Sequence, residues 1–456
     1  MGVQLLIMTD LDNFFNPKSI AIIGASREPG KVGFVVLNNL ILSKYRGKIY
    51  PINPDADRIL DILAYKSIKA VKDKIDLAII AVPANIALNV IKECGEAKVK
   101  NIIILTAGFG EISKDSDKKL KESLKKYKIR AIGPNCLGLL DTNSNVDTLF
   151  IPRNRLQRPN IGGISLICQS GAVGSTILDL STRESLGFSK FVSYGNALDV
   201  DESDLIDYLE KDETTKVICL YFEGVKDGNK FFKTLSKTKK PIIALKGGIS
   251  SKKEGSINSH TGFLTGSYEV YKGILKQTNV ILANDIEELC DFARIFDNTI
   301  SPKGKRIQIV TNAGGFGVLA KDAVEINDLE LAELSAETKK VLSNFPKYYI
   351  ISNPLDLTGS ARTEDFELAI DTALKDNKND IVLAIILTQI PTIEPRIVKS
   401  VVEICAKNNK PLIVVTCGGD FAVQVEKNFM KNRLPCYNFP KNAVNSIKRL
   451  CDYYIK

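Results

Sequence analysis

The chain is expected to be an α/β protein: a Rossmann-like domain followed by two flavodoxin-like domains. Three observations carry that expectation. Its 456 residues exceed one ordinary core and suit about three domains of 100–200 residues each. Short β-branched runs alternate along the whole length with helix-length amphipathic stretches, the pattern of parallel sheets covered by helices. Two internal segments also open alike, since Ile164 to Gly174 reads ISLICQSGAVG and Ile307 to Gly317 reads IQIVTNAGGFG. Each is a buried strand, a glycine turn and a helix start at one spacing, as in two related domains.

In chain order, the first segment opens with the apolar run Ser19–Gly24. Further strands are expected at Lys48–Asn53, Leu77–Val82, Asn101–Leu105 and Ile129–Ile132, and the segment closes near Gly138–Asp141. The polar stretch from Asn143 to Asn160, with Pro152 and Pro159, reads as a linker. The second segment has strands at Ile164–Cys168, Lys216–Tyr221 and Pro241–Lys246 and ends around Asn298. The turn-rich Ser301–Lys305 leads to strands at Arg306–Val310, Ile381–Leu387 and Pro411–Thr416. The divisions are therefore placed at 1–145, 146–300 and 301–456.

Composition removes several classes. With 44% hydrophobic and 25% charged residues the chain is globular, and no apolar run approaches the ~18 residues of a membrane helix. The N-terminus lacks a basic n-region and a small-residue cleavage site, so no signal peptide is expected. Nine cysteines without a CxxC pair, and a single histidine, argue against a structural metal and for a reducing cytoplasm. The net charge of +9 is spread through the chain with no basic block interleaved with aromatics. That distribution disfavours nucleic acid but suits a small polyanion or an acidic partner. Absent Trp, scarce Met and frequent Lys and Glu lean towards a thermophile.

Three places are suited to hold phosphate. The first is the loop Gly24-Ala25-Ser26-Arg27-Glu28-Pro29-Gly30-Lys31-Val32-Gly33, between a strand and an apolar helix. Its amides and the helix start favour an anion. A dinucleotide reader would need GxGxxG and an acidic residue about 20 positions on, at the end of the second strand. Here that strand ends at Asn53-Pro54. NAD is therefore disfavoured, and a ligand without a free ribose diol, such as coenzyme A, fits better. The second and third places are the paired turns Gln169-Ser170-Gly171-Ala172 and Asn312-Ala313-Gly314-Gly315-Phe316-Gly317. Two helix starts in sister domains can serve one phosphate dianion.

The lone histidine, His260, lies in the polar run Gly255–Gly262, where a neutral ring can act as base or nucleophile. Glu223 follows a buried strand; if it reaches His260 it accepts the Nδ1 proton and frees Nε2. Asn196, in the loop Gly195–Asp199, is a further polar candidate for lining such a site.

Taken together, IIGASREPGKVG, YPINP, AGFGE, GPNCLGLLD, QSGA, SYGNALDVDESD, YFEG, SHTGFLTGS and NPLDLTG occur in this order along the chain. The set resembles the alpha subunits of ADP-forming acetyl-CoA synthetases, in the NDP-forming acyl-CoA synthetase superfamily that includes succinyl-CoA synthetase. The resemblance covers essentially the whole chain. It implies a CoA-binding first domain and two succinyl-CoA synthetase-like domains. The implied reaction is acyl-CoA + Pi + ADP ⇌ carboxylic acid + CoA + ATP, through an acyl phosphate and a phosphohistidine at His260. The resemblance assigns CoA to Gly24, Ala25, Ser26, Lys31, Val32 and Gly33, with Asn53, Pro83, Thr106 and Ala107 on the same edge. It puts Asn135 and Cys136 near the thioester, and Asn196 in its polar loop stands beside them as the acyl-site candidate. Phosphate falls to Gln169, Ser170, Gly171, Ala172, Gly314, Gly315, Phe316 and Gly317.

One departure is visible: many relatives carry lysine after YPxNP, whereas this chain has Asp55, leaving Lys31 or Arg27 to compensate. After the third segment no stretch of domain size remains for an ATP-grasp domain. The resemblance therefore implies a beta subunit that brings ADP/ATP with Mg2+, in an α2β2 heterotetramer, and a small carboxylic acid as substrate. The alternative is a CoA-sensing binding module related to protein acetyltransferases. Such proteins append a transferase domain and typically lack the histidine.

Overall fold

The computed structural model describes residues 11–109, 114–249 and 268–455. The chain divides into two compact units, one of residues 1–183 and 187–282, the other of 184–186 and 283–456. Among the described residues the first unit holds two large sheets and a two-stranded ribbon, Arg58–Ile59 with Ile62–Leu63, and the second unit holds one sheet.

The first sheet has five parallel strands in the order Lys48–Ile52, Ser19–Ile23, Leu77–Ile80, Asn101–Ile104, Arg130–Ile132. Its inner strands read as unbroken apolar runs because helices Val32–Leu42, Ala84–Glu96 and Lys114–Tyr127 alternate with them and cover both faces. Numbered by their own succession, the strands lie in the doubly wound order 2-1-3-4-5.

The second sheet runs Ile281–Ala283, Ile242–Lys246, Val217–Phe222, Asn160–Cys168, Gly187–Ser193, Gly138–Asp141, Val146–Asp147. The strands from Asn160 onward repeat the order 2-1-3-4-5. Gly138–Asp141 pairs antiparallel with Gly187–Ser193 and extends this sheet. The first segment, expected to close near this strand, thus hands on to the second sheet there. The Asn143–Asn160 stretch is likewise more than a linker. Asp147 is fully buried between Arg153, at 3.0 Å, and Arg158, at 2.9 Å. Asn39 in helix Val32–Leu42 donates to the carbonyls of Leu149 and Ile151 at 2.7 and 3.1 Å. The polar composition that read as a linker serves a cluster of one buried carboxylate and two guanidiniums instead.

The second unit's parallel sheet runs Glu330–Leu331, Arg306–Thr311, Ile381–Ile385, Leu412–Val415, Cys436–Tyr437, with Leu355–Asp356 paired to the C-terminal end of Arg306–Thr311. This is again 2-1-3-4-5, so the α/β architecture of doubly wound sheets expected from the sequence is what the chain adopts. In such sheets the crevice for ligands opens where strands 1 and 3 send their connections to opposite faces.

Candidate functional site

Each of the three glycine loops sits at its own sheet's switch point. In the first sheet, Gly24 follows strand Ser19–Ile23 with φ +90°, and a Cβ there would lie 2.5 Å from the Ala81 carbonyl at the end of the neighbouring strand. A Cβ on Gly33 would lie 2.0 Å from the Gly24 carbonyl. The helix Val32–Leu42 therefore enters with its first turn against the loop backbone, an approach that only glycine permits. Ser26 Oγ accepts from the Glu28 amide at 3.0 Å. Lys31 precedes the helix, exposed, 3.7 Å from Glu28.

Asn53 works on the loop itself: its Nδ2 donates to the Ala25 carbonyl at 2.7 Å, and its Oδ1 accepts from the Asp55 amide at 2.7 Å. Asp55 is thus tied to this turn by its backbone. Pro83 precedes helix Ala84–Glu96, Thr106 donates to the Val82 carbonyl at 2.6 Å, and Ala107 is exposed beside it. All lie at the C-terminal edge of the first sheet.

That edge continues into the second sheet's loops. Asn135, at φ 56°, donates its amide N–H to Thr106 O at 2.9 Å. Its side chain reaches Asn196 Oδ1 at 3.5 Å, and the Asn196 amide donates to Pro134 O at 2.9 Å. Asn135 and Asn196, far apart in sequence, are therefore neighbours. Lys226 fixes the Asn196 loop by donating to the carbonyls of Asn196 and Ala197 at 2.7 and 2.8 Å. Cys136 is 3% exposed and donates to Ile104 O, and burial pushes its thiol up to about 12. It is a neutral wall at physiological pH rather than a thiolate.

At the second switch point Gln169, 1% exposed, ends strand Asn160–Cys168. Its Oε1 accepts from the amides of Glu223 and Gly224 at 2.6 and 3.4 Å. This clasp ties the end of strand 1 to the end of strand 3, which sequence spacing could not reveal. Gln169 Nε2 is buried without a hydrogen-bond partner among the described residues. Ser170 follows, and Gly171 and Ala172 open helix Gly171–Arg183. Glu223 also accepts from Tyr221 OH at 3.4 Å, and its carbonyl accepts from Lys246 Nζ at 2.8 Å. Burial lowers the pKa of Lys246 and, together with Glu223, raises that of Tyr221. His260 lies outside the described residues.

In the second unit Asn312 holds the position of Gln169. Its Oδ1 accepts from Leu387 N at 2.9 Å, and its Nδ2 donates to Leu387 O at 3.1 Å. Gly314, Gly315, Phe316 and Gly317 form the first turn of helix Gly314–Ile326. A residue missed in the sequence stands here: Asp356 Oδ2 lies 2.8 Å from where a Gly314 Cβ would be. Its motif, NPLDLTG, gave no sign of that neighbour, because the pairing of Leu355–Asp356 with Arg306–Thr311 is non-local.

Residues 18–142 match the CoA binding domain, 161–296 the succinyl-CoA ligase like flavodoxin domain, and 307–448 the ligase-CoA domain. Fold and loops thus define a CoA-binding chain of the succinyl-CoA ligase class. The chain is 40% identical over 446 residues to the alpha subunit of acetate–CoA ligase [ADP-forming] II of Pyrococcus furiosus, covering 95% of each chain. It is 42% identical to the acetate–CoA ligase [ADP-forming] of Methanocaldococcus jannaschii, spanning 96% of this chain and 62% of that protein. The dinucleotide forming acetyl-coenzyme A synthetase 1 of Ca. Korarchaeum cryptofilum, solved with phosphate and ADP, superposes with TM-score 0.91 at 32% identity. That match covers 98% of this chain and 97% of the other. The chain belongs to the ADP-forming acetate–CoA ligase family.

Proposed function

We propose that the chain is the alpha subunit of an ADP-forming acyl-CoA synthetase, with acetate as the first acid to test. The reaction is acyl-CoA + Pi + ADP ⇌ acid + CoA + ATP. What carries the reading is the union, in one chain of this family, of a CoA-binding domain with two further switch-point turns that each open a helix. Phosphate attacks the thioester carbonyl and CoA leaves as the thiolate, giving an acyl phosphate. His260 Nε2 then attacks phosphorus, the carboxylate leaves, and the phosphohistidine passes its phosphoryl group to ADP.

In this account Gly24, Ala25, Ser26, Lys31, Val32 and Gly33 present amides and one cation to the CoA phosphates, and Asn53 holds that loop shut. Pro83, Thr106 and Ala107 line the same edge, Asn135 and Cys136 flank the thioester, and Asn196 borders the acyl group. Glu223, held by Gln169, accepts the Nδ1 proton of His260. The amides of Gln169, Ser170, Gly171 and Ala172 supply positive ends that favour a phosphoryl dianion, and those of Gly314, Gly315, Phe316 and Gly317 do the same at their own turn.

ADP or ATP, with Mg2+, belongs to a beta subunit carrying an ATP-grasp domain, assembled as α2β2. Support comes from the P. furiosus relative, which is named a subunit alpha. The M. jannaschii relative is longer than this chain. The three-domain division at 1–145, 146–300 and 301–456 stays a proposal. The CoA-sensing module gains no support from these relatives, which are named as ligases.

The test is a coupled assay of the chain reconstituted with its beta partner over a panel of acids, with ADP and GDP. Turnover with at least one small acid is expected. His260→Ala should abolish turnover and leave CoA binding intact. An active His260→Ala enzyme would overturn the reading.

A further inference from the structure

On the edge of the first sheet opposite the glycine loop lies a cleft of about 770 Å³. It opens at the starts of strands Asn101–Ile104 and Arg130–Ile132, beside the C-terminal end of helix Lys114–Tyr127. At ~3.3 Å per residue, the two ends of Asn101–Ile104 are roughly 10 Å apart, so the cleft is separate from the CoA edge. Four lysines and one arginine line it: Lys100, Lys121, Lys125, Lys128 and Arg130. Asp199 is the one carboxylate among the described lining residues.

That carboxylate is already engaged. Asp199 Oδ2 accepts from Arg130 Nε at 2.9 Å and from the Ala131 amide at 2.8 Å. The lysines have no such partner. Among the described residues none of the four is in an ion pair, although Lys119 on the same helix pairs with Asp115 at 2.6 Å. Lys100 donates only to the Tyr127 carbonyl, at 3.0 Å. Lys121 and Lys125 are one helical turn apart and so share a face, where like charges repel. The helix dipole accounts for a lysine in the last turn such as Lys125. It does not account for Lys100 and Lys128 arriving from outside the helix at the same concavity. A concave wall concentrates the field of such charges and attracts counter-ions of high charge density.

We propose that this cleft is a binding site for a small polyphosphate anion, either inorganic triphosphate or the triphosphate of a nucleotide. Its size falls in the range of small-molecule sites, and its cations match an anion carrying several charges over a few ångströms.

The test is calorimetric titration of the full chain with inorganic triphosphate and with ATP, each in saturating CoA and phosphate so that the proposed substrate sites are filled. Saturable binding is expected, weakened about tenfold in Lys121→Gln/Lys125→Gln through loss of charge-assisted contacts and falling as salt is raised. Both lysines are exposed, and unaltered CoA affinity of the variant confirms its fold. Equal affinities for the two ligands assign the site to the phosphates alone, and tighter ATP binding assigns it to a nucleotide. Absence of saturable binding, or binding unchanged in the double variant, would overturn the proposal. So would a single-stranded RNA that binds the cleft more tightly than either ligand.

Discussion

The two sister turns solve one problem with side chains that differ by a single methylene. In the second unit, Asn312 spends both ends of its amide on Leu387, and no polar atom of that side chain is left over. In the first unit, the longer Gln169 gives its Oε1 to Glu223 and Gly224 and leaves Nε2 buried without a partner among the described residues. A buried unpaired donor costs free energy, and such groups recur at functional sites. The residue held also differs, a carboxylate at Glu223 against an apolar Leu387. The Asn312 side chain holds its turn with nothing left over, whereas the Gln169 side chain holds its turn and keeps one polar atom in reserve.

The largest test of that contrast is removal of the charge that Gln169 positions. Glu223→Gln is expected to lower the rate of phosphoryl transfer by about 10²–10⁴-fold, the scale of a lost acid–base or orienting partner. CoA affinity should be unchanged, and single-turnover transfer measures the effect. The exposed Leu319→Gln in the second unit should leave that rate within about twofold.

A second contrast concerns Glu202, which is 2% exposed in the first unit and held at about 7 by burial. Its folded pKa stands above the unfolded value, so the native state holds the extra proton between about pH 4.5 and 7. Stability should therefore fall as pH rises through that window and level off above it. Glu202→Gln should flatten the curve by roughly 3 kcal/mol, read from urea unfolding at a series of pH values.

Exchange of the two clasps is the next smaller test. Gln169→Asn should withdraw Oε1 from the Glu223 amide and cost about 1–3 kcal/mol. Thermal unfolding reads that loss, and transfer slows with it because Glu223 is freed. Asn312→Gln should cost a similar amount through overpacking and leave single-turnover transfer unchanged.

The helix glycines separate the two turns by stability alone. A Cβ on Gly174 would meet the Phe191 ring at 2.8 Å, whereas one on Gly315 meets nothing within 4 Å. Gly174→Ala should destabilise by about 1–3 kcal/mol. Gly315→Ala should be neutral or stabilising by up to about 1 kcal/mol.

What the sequence displayed, and what it hid, follows from the range of the interactions involved. Strand, glycine turn and helix start are consecutive, so all three switch-point loops were legible, as was the doubly wound class. The clasp of Gln169 on Glu223 joins positions 54 apart, and Asp356 reaches Gly314 through a strand pairing. Neither has a local signature. The sheet that receives Gly138–Asp141 was hidden as well, because an apolar run does not say which strand it pairs with. The Asn143–Asn160 stretch read as a linker because it is polar, yet its buried Asp147 carboxylate is held by the guanidiniums of both Arg153 and Arg158.

The central claim is that phosphoryl groups pass through His260 on this chain and reach nucleotide on another. Labelling the chain with γ-phosphorus-labelled ATP, with and without the beta partner, tests it most directly. The account predicts an acid-labile, alkali-stable label on His260 that appears only when the partner is present and is absent in His260→Asn. Labelling of the purified chain without a second polypeptide, or turnover of the complex with the label on another residue, would contradict it.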